Sequence, residues 1–262
     1  MTQVSAAVRL DRDGGLAVVT FDSPPLNLFS AQMERELQKA VKELEDQAPR
    51  AVLFRAEGSV VSGGVDVSLF AALESSAAAT ETFQRLIELA RRVDRLPCPT
   101  VFAAHALCLT WAFELALACD LLVAARSAKF GLVEKVVGLT PAMGGTQRLA
   151  ERAGSGRARQ FVMSGRPHDA ETLERWNVVN LVLPDDGFDT AVRELAEELA
   201  AGPTLAHAAT KQVIRDYLEG GVELSNDRVA KVAGALFDTE DLRGAVASFL
   251  EHGPGKATFQ GR

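Results

Sequence analysis

The sequence predicts an α/β fold: a largely parallel sheet threaded by helices, followed by a purely helical segment. Short β-branched or apolar runs alternate with helical patterns over the first two-thirds of the chain, and that alternation implies parallel strands joined by crossovers. The predicted strands are predominantly apolar, as strands covered on both faces are. No strand signal appears after Pro184.

Each element follows from its residues. "LAVVTF" (16–21) follows the turn signal Asp13-Gly14-Gly15 and reads as a strand after a hairpin. The prolines of "DSPPLNLFS" enforce a loop, after which Ser30 can cap a helix running to about Gln47 with Met33, Leu37, Val41 and Leu44 on one face. "RAVLFRAE" (50–57) is the next strand and runs into the glycine-rich loop "GSVVSGGVD". The Ala/Ser tract "AALESSAAA" (71–79) leads to a helix from about Thr80, with Phe83, Leu86, Ile87, Ala90 and Val93 at helical spacing. "PTVFAAH", "TWAFELALA" and "DLLVAA" read as strand, helix and strand. Short helices are expected at 145–153, 156–163 and 169–176, a strand at "VVNLVLP", and helices near 187–201, 204–219, 222–237 and 239–251.

The chain has 262 residues, 47% hydrophobic and 24% charged, with a net charge of −7, which is the balance of a globular domain. It has no dense Lys/Arg cluster, which argues against nucleic acid as a partner. Cys98, Cys108 and Cys119 form no C-x-x-C pair and lie in apolar sequence, so they read as buried thiols of a reduced, cytoplasmic protein. "MTQVSAAVRLDRDGG" has no apolar core of a signal peptide. The apolar stretch 98–125 is flanked by Pro97 and Pro99 and interrupted by Glu114 and Asp120, which favours a buried strand–helix–strand over a membrane span.

Glu114 is the anomaly in that stretch, because a glutamate is almost never buried unless it is paired or used. The loops before "TWAFE" and around "SGGVD" (62–66) both offer backbone amides ahead of a helix, and two such ends converging would make an oxyanion hole. Taken alone, "SGGVD" is more often just a plain turn. Glu134 stands between apolar residues ahead of the loop "GLTPAMGG". Paired with Glu114 in apolar walls it would share separated, raised pKa values suited to acid and base work. The alternative is a surface carboxylate paired with Lys135 or Arg148. No G-x-S-x-G elbow, P-loop or H-E-x-x-H motif is present, and the four histidines share no ligand spacing.

Lined up in order, "LAVVTFDSPPLNLFS", "VSGGVDV", "LPCPTVFAAHALCLTWAFELALACDLLVAA", "AKFGLVEKVVGLTPAMGGTQRL" and "GPTLAHAATKQVI" resemble the crotonase superfamily, typified by enoyl-CoA hydratase. The resemblance covers nearly the whole chain. It implies a ββα spiral core over residues 1–200 carrying an acyl-CoA site and a helical oligomerisation region over 201–262, in a homotrimer or a dimer of trimers. It assigns Glu114 and Glu134 as catalytic carboxylates and the backbone N–H groups of Gly63 and Trp111 as the oxyanion hole. Leu26, Gly63, Gly64, Val65 and Asp66 fall along the CoA and substrate path.

The implied activity is hydration of a trans-2-enoyl-CoA to 3-hydroxyacyl-CoA, a lyase reaction of the kind used in fatty acid metabolism. It needs no metal or cofactor beyond the coenzyme A of the substrate, and neither nucleic acid nor membrane as partner. Enoyl-CoA isomerase or another crotonase chemistry, and a catalytically impaired acyl-CoA-binding protein, are the alternatives. The last is raised by Trp111, which stands where the family usually has a small residue; its indole must enter either the acyl tunnel or a packed helix face. The C-terminal "SFLEHGPGKATF" is a further candidate to close a CoA site, with Lys256 near phosphate.

Overall fold

The structure, a computed structural model, describes residues 6–262; most of the segment examined for a signal peptide is included, but residues 1–5 lie outside the described residues. Strands β1 (Val8–Asp13) and β2 (Leu16–Phe21) form a hairpin across Gly14, whose φ of 57° suits a glycine turn. Helix α1 (Ala31–Asp46) starts where the Ser30 hydroxyl accepts the Met33 N–H at 3.2 Å, and it buries Met33, Leu37, Val41 and Leu44 as their spacing requires.

The chain continues through β3 (Ala51–Ala56), the short α2 (Ser68–Ala71) and α3 (Ser76–Asp94). Helix α3 begins four residues before the expected Thr80 because Ser75 caps it by accepting the Ala78 N–H. Strand β4 (Thr100–Ala104), the two-residue β5 (Cys108–Leu109), helix α4 (Trp111–Ala118) and strand β6 (Leu121–Ala125) follow.

After them come β7 (Lys129–Gly131), α5 (Gly145–Ala153), α6 (Ser155–Ser164), β8 (His168–Asp169), α7 (Ala170–Arg175), β9 (Leu181–Leu183) and α8 (Phe188–Ala201). The strand expected at "VVNLVLP" is only its second half. Val178 and Val179 instead donate their N–H groups to Leu173 C=O and close the end of α7. The two helices expected at 204–219 and 222–237 form one span, α9 (Thr204–Ala235), broken at Gly220 and Gly221, where the backbone leaves helical angles. Helix α10 (Glu240–His252) ends the fold.

The main sheet has the order β1-β2-β3-β4-β6-β9, parallel except for the first hairpin. One face packs under α1, α3 and α4 in a core containing Phe21, Phe29, Phe54, Phe102 and Trp111. The other face is covered by α8 through Phe188, Val192 and Ala196. Parallel strands buried on both faces explain why they carry no polar alternation. All three cysteines are free and buried, and burial pushes the Cys98 thiol up to about 12. Among the described residues, no helix is long and apolar enough to cross a membrane.

Candidate active site

Four segments run side by side beyond the C-terminal end of the main sheet. Phe29 bridges Val65, Ser62 bridges Cys108, and β5 pairs with β7, all in parallel. These short pairings were invisible in the sequence because each holds only one to three residues. They bring the "SGGVD" loop, the start of α4 and the approach to Glu134 into one neighbourhood.

The backbone amides there are not equivalent. Gly63 N–H, assigned to the oxyanion hole by resemblance, donates to Leu26 C=O at 2.7 Å and so is already engaged. Its lack of a side chain serves this approach, since a Cβ at Gly63 would lie 3.1 Å from Leu26 Cβ. Gly64 N–H donates to Ser62 Oγ at 3.0 Å, and Asp66 N–H donates to Phe29 C=O at 3.1 Å. The Val65 N–H, by contrast, donates to no acceptor among the described residues, and Val65 lines a cavity. The free amide of this loop is therefore Val65, two residues beyond the expected position. The Trp111 N–H, at the first position of α4, is likewise without an acceptor among the described residues, as helix starts leave their first amides.

Thr110 immediately precedes that amide with φ 50° and ψ −117°, a region that a β-branched residue seldom enters. At ordinary cap angles its hydroxyl would take an amide of the first helical turn. Here it makes no cap bond, and its Oγ1 is buried without a partner. Thr110 is held there by its own N–H, which donates to Gly131 C=O at 2.9 Å, and by its carbonyl, which accepts Glu114 N–H at 2.8 Å.

Helix α4 is buried along all eight residues, so Glu114 has no water-facing side to occupy. Its Oε2 accepts N–H groups from Met143 at 2.8 Å and Gly145 at 2.7 Å, both in the turn entering α5. Burial, followed by the proximity of Glu134, raises its pKa to about 8 against the pull of those amides. Glu134 opens a 3-10 turn (Glu134–Val137), is buried, and leaves Oε2 without a partner. Burial raises it to about 7. Neither Lys135 nor Arg148 pairs with it: the Lys135 stem packs on Gly165, and Arg148 donates to Gly144 C=O.

Both glutamates line one cavity of about 240 Å³ with Val65 and Trp111. Its apolar lining comes from Phe29 and Trp111 and from Leu69, Phe70, Leu73, Phe83 and Leu86, and Met143 lies beside Glu114. The lining also includes the Arg85–Glu34 ion pair at 3.2 Å. The Trp111 indole is 2% exposed, edge-on to Phe21 at 5.0 Å and tilted on Phe29 at 5.3 Å. The indole thus enters a packed aromatic core, and Trp111 is among the residues lining the cavity. A larger, more open groove of about 570 Å³ lies on the α8 side of the sheet. Its charges are largely paired with one another, as in Arg193–Asp13 and Arg55–Asp189, so the enclosed apolar cavity is the better site for chemistry.

Of Leu26 and Gly63 to Asp66, expected along the CoA and substrate path, Val65 lines the cavity, while Leu26 is exposed and accepts the Gly63 N–H. Asp66 accepts hydrogen bonds from Ser68, its side chain and then its N–H, and these hold the carboxyl below the usual range. The C-terminal segment ends elsewhere. Gln260 and Gly261 donate N–H groups to the Asp241 carboxylate, and Gly261 rests near Thr204 and Arg50, at the opposite end of β3 from Val65. Lys256 makes no ion pair among the described residues.

A sequence profile of the family described as Enoyl-CoA hydratase/isomerase matches residues 11–262. The protein belongs to the enoyl-CoA hydratase/isomerase family. A Bacillus subtilis (strain 168) protein named probable enoyl-CoA hydratase is 30% identical over 254 residues, 94% of this chain and 96% of its own. A Dictyostelium discoideum protein named mitochondrial Delta(3,5)-Delta(2,4)-dienoyl-CoA isomerase is 29% identical over 217 residues, 79% of this chain and 74% of its own. The crystal structure of an enoyl-CoA hydratase from Bacillus anthracis superimposes with a TM-score of 0.89 at 23% identity, covering 98% of this chain and 100% of that one; it shares the crotonase fold. The family acts on acyl-CoA thioesters, and this member carries the fold from end to end.

Proposed function

We propose that the protein is an enoyl-CoA hydratase, a hydro-lyase that adds water across the 2,3-double bond of a trans-2-enoyl-CoA. The observation that carries this reading is the pair Glu114 and Glu134, two buried carboxyls of raised pKa in one cavity beside two unengaged amides. The thioester oxygen sits on the Val65 and Trp111 N–H groups, which stabilise the negative charge it gains as C3 is attacked. Glu114, anchored through Oε2, keeps its other oxygen to orient the water whose oxygen bonds to C3. Glu134 supplies the proton to C2 and recovers one from the water. Water is consumed without net electron transfer, so the reaction calls for no redox cofactor, and coenzyme A takes part as a portion of the substrate. Leu26, Gly63, Gly64 and Asp66 border its path.

Loss of the enoyl-thioester ultraviolet absorbance with crotonyl-CoA tests the reading, with wild type run beside Glu114→Gln and Glu134→Gln. Formation of 3-hydroxybutyryl-CoA that collapses in either variant supports hydration. A shifted double bond with no hydroxyl product makes the protein an isomerase instead. Thioester binding without turnover makes it a binding protein.

The same reading places the protein in fatty acid metabolism, in the cytoplasm, as a homotrimer or a dimer of trimers. Ile214, Leu218, Phe237, Phe249 and Leu250 on the C-terminal helical segment are more than half exposed, and such a face favours burial against further copies of the chain. Light scattering coupled to size exclusion distinguishes monomer, trimer and hexamer.

A further inference from the structure

The cavity holds about 240 Å³, below the range of roughly 300–1,000 Å³ usual for ligand pockets. Its apolar lining residues differ in firmness. Leu69, Phe70, Leu73, Phe83 and Leu86 are only partly buried and sit on α2, α3 and the turn between them. The wall of Phe29 and Trp111 is part of the core, with Phe21 set behind the indole and itself packed on Phe54 and Phe102. This wall cannot retreat without opening the core.

We infer that Trp111 is a specificity-determining residue that restricts the site to CoA thioesters of short acyl chains. The inference rests on the thioester carbonyl lying on the Val65 and Trp111 amides. One residue then does two things: its backbone holds the carbonyl, and its indole occupies the space into which a longer chain would extend. A small residue at position 111 leaves an apolar pit against Phe21, continuous with the cavity and able to take further methylenes.

The test is calorimetric binding of the unreactive saturated thioesters butyryl-CoA and decanoyl-CoA, with free CoA as the reference. Misfit of even one methylene in a tight apolar pocket shifts binding by about tenfold or more. Wild type should therefore favour butyryl-CoA over decanoyl-CoA by at least about tenfold, and Trp111→Ala should erase or reverse that ratio, each affinity being read against that of free CoA. Trp111→Phe, which keeps a ring in the core, should move the ratio part of the way and decides the matter if Trp111→Ala does not fold. A ratio unchanged in the folded variants, or wild type binding both thioesters equally, overturns the inference and leaves hydration standing. Wild type binding neither thioester better than CoA overturns both. Failure of crotonyl-CoA turnover with the length preference intact removes hydration alone.

Discussion

Gly145 lies so close to Glu114 that a Cβ added to it would stand 2.6 Å from Glu114 Cγ and 3.0 Å from Glu114 Oε2. Its N–H is at the same time the shorter of the two amide bonds to that carboxylate, at 2.7 Å. The absent side chain and the amide together set where the carboxylate stands, and Met143 N–H donates to the same oxygen at 2.8 Å.

Gly145→Ala should therefore push the Glu114 carboxylate away from its water position while leaving the CoA-binding loop untouched. Displacement by about an ångström costs on the order of 10²-fold in rate. The expected result is a kcat lowered by that order with little change in KM for crotonyl-CoA. Steady-state kinetics check it, and an unaltered kcat would mean that Glu114 is not positioned through this contact.

The two raised carboxyls predict a narrow pH profile. Glu114 at about 8 and Glu134 at about 7 titrate as a pair, and the reaction needs one proton in the pair to give and one ionised oxygen to receive. Activity should peak between pH 7 and 8, falling on the acid side as both protonate and on the alkaline side as both ionise. A kcat/KM profile flat from pH 5.5 to about 9.5 would contradict paired acid–base roles.

The same shifts carry a stability consequence. A folded pKa above the unfolded value of 4.5 means that the folded state binds the proton more tightly. The stabilisation is thus fully present below pH 4.5 and is lost as pH rises through about 7. Glu134→Gln removes the cost of ionising a buried carboxyl, so it should stabilise the protein at pH 8 by on the order of 2 kcal/mol and do little at pH 4.5. Urea unfolding at the two pH values measures the difference; equal effects at both would deny the shift.

Thr110 predicts a gain from losing a side chain. At φ 50° and ψ −117° with an unpartnered hydroxyl, its backbone strain is about 1–3 kcal/mol, whereas glycine in its place costs about 0.5–1 kcal/mol of chain entropy. Thr110→Gly should raise stability by about 1 kcal/mol with activity kept, because the Trp111 N–H stays where it is. Thermal unfolding decides it. A lowered Tm would show that packing of the Thr110 side chain against Gly64, whose added Cβ would sit 3.6 Å from Oγ1, outweighs the strain.

Much of this protein was determined by the sequence alone, through patterns that local physics enforces. Helix α1 was legible because a serine cap and an apolar stripe at helical spacing act within a few residues of each other. The parallel sheet was legible because strands covered on both faces must be apolar throughout. Glu114 announced itself because a carboxylate inside a wholly apolar helix has no water to face.

Only the tertiary structure decided which amide of "SGGVD" is free, because that depends on Leu26 C=O, distant in sequence, taking the Gly63 N–H. The amides of Met143 and Gly145 around Glu114 were hidden for the same reason, as was the burial of Glu134 away from the neighbouring Lys135. The sequence left the Trp111 indole with two destinations, and the positions of Phe21 and Phe29 settled its place. Hydrogen bonds and aromatic packing between segments far apart in the chain have no local periodicity, so they become readable only once folding has brought their partners together.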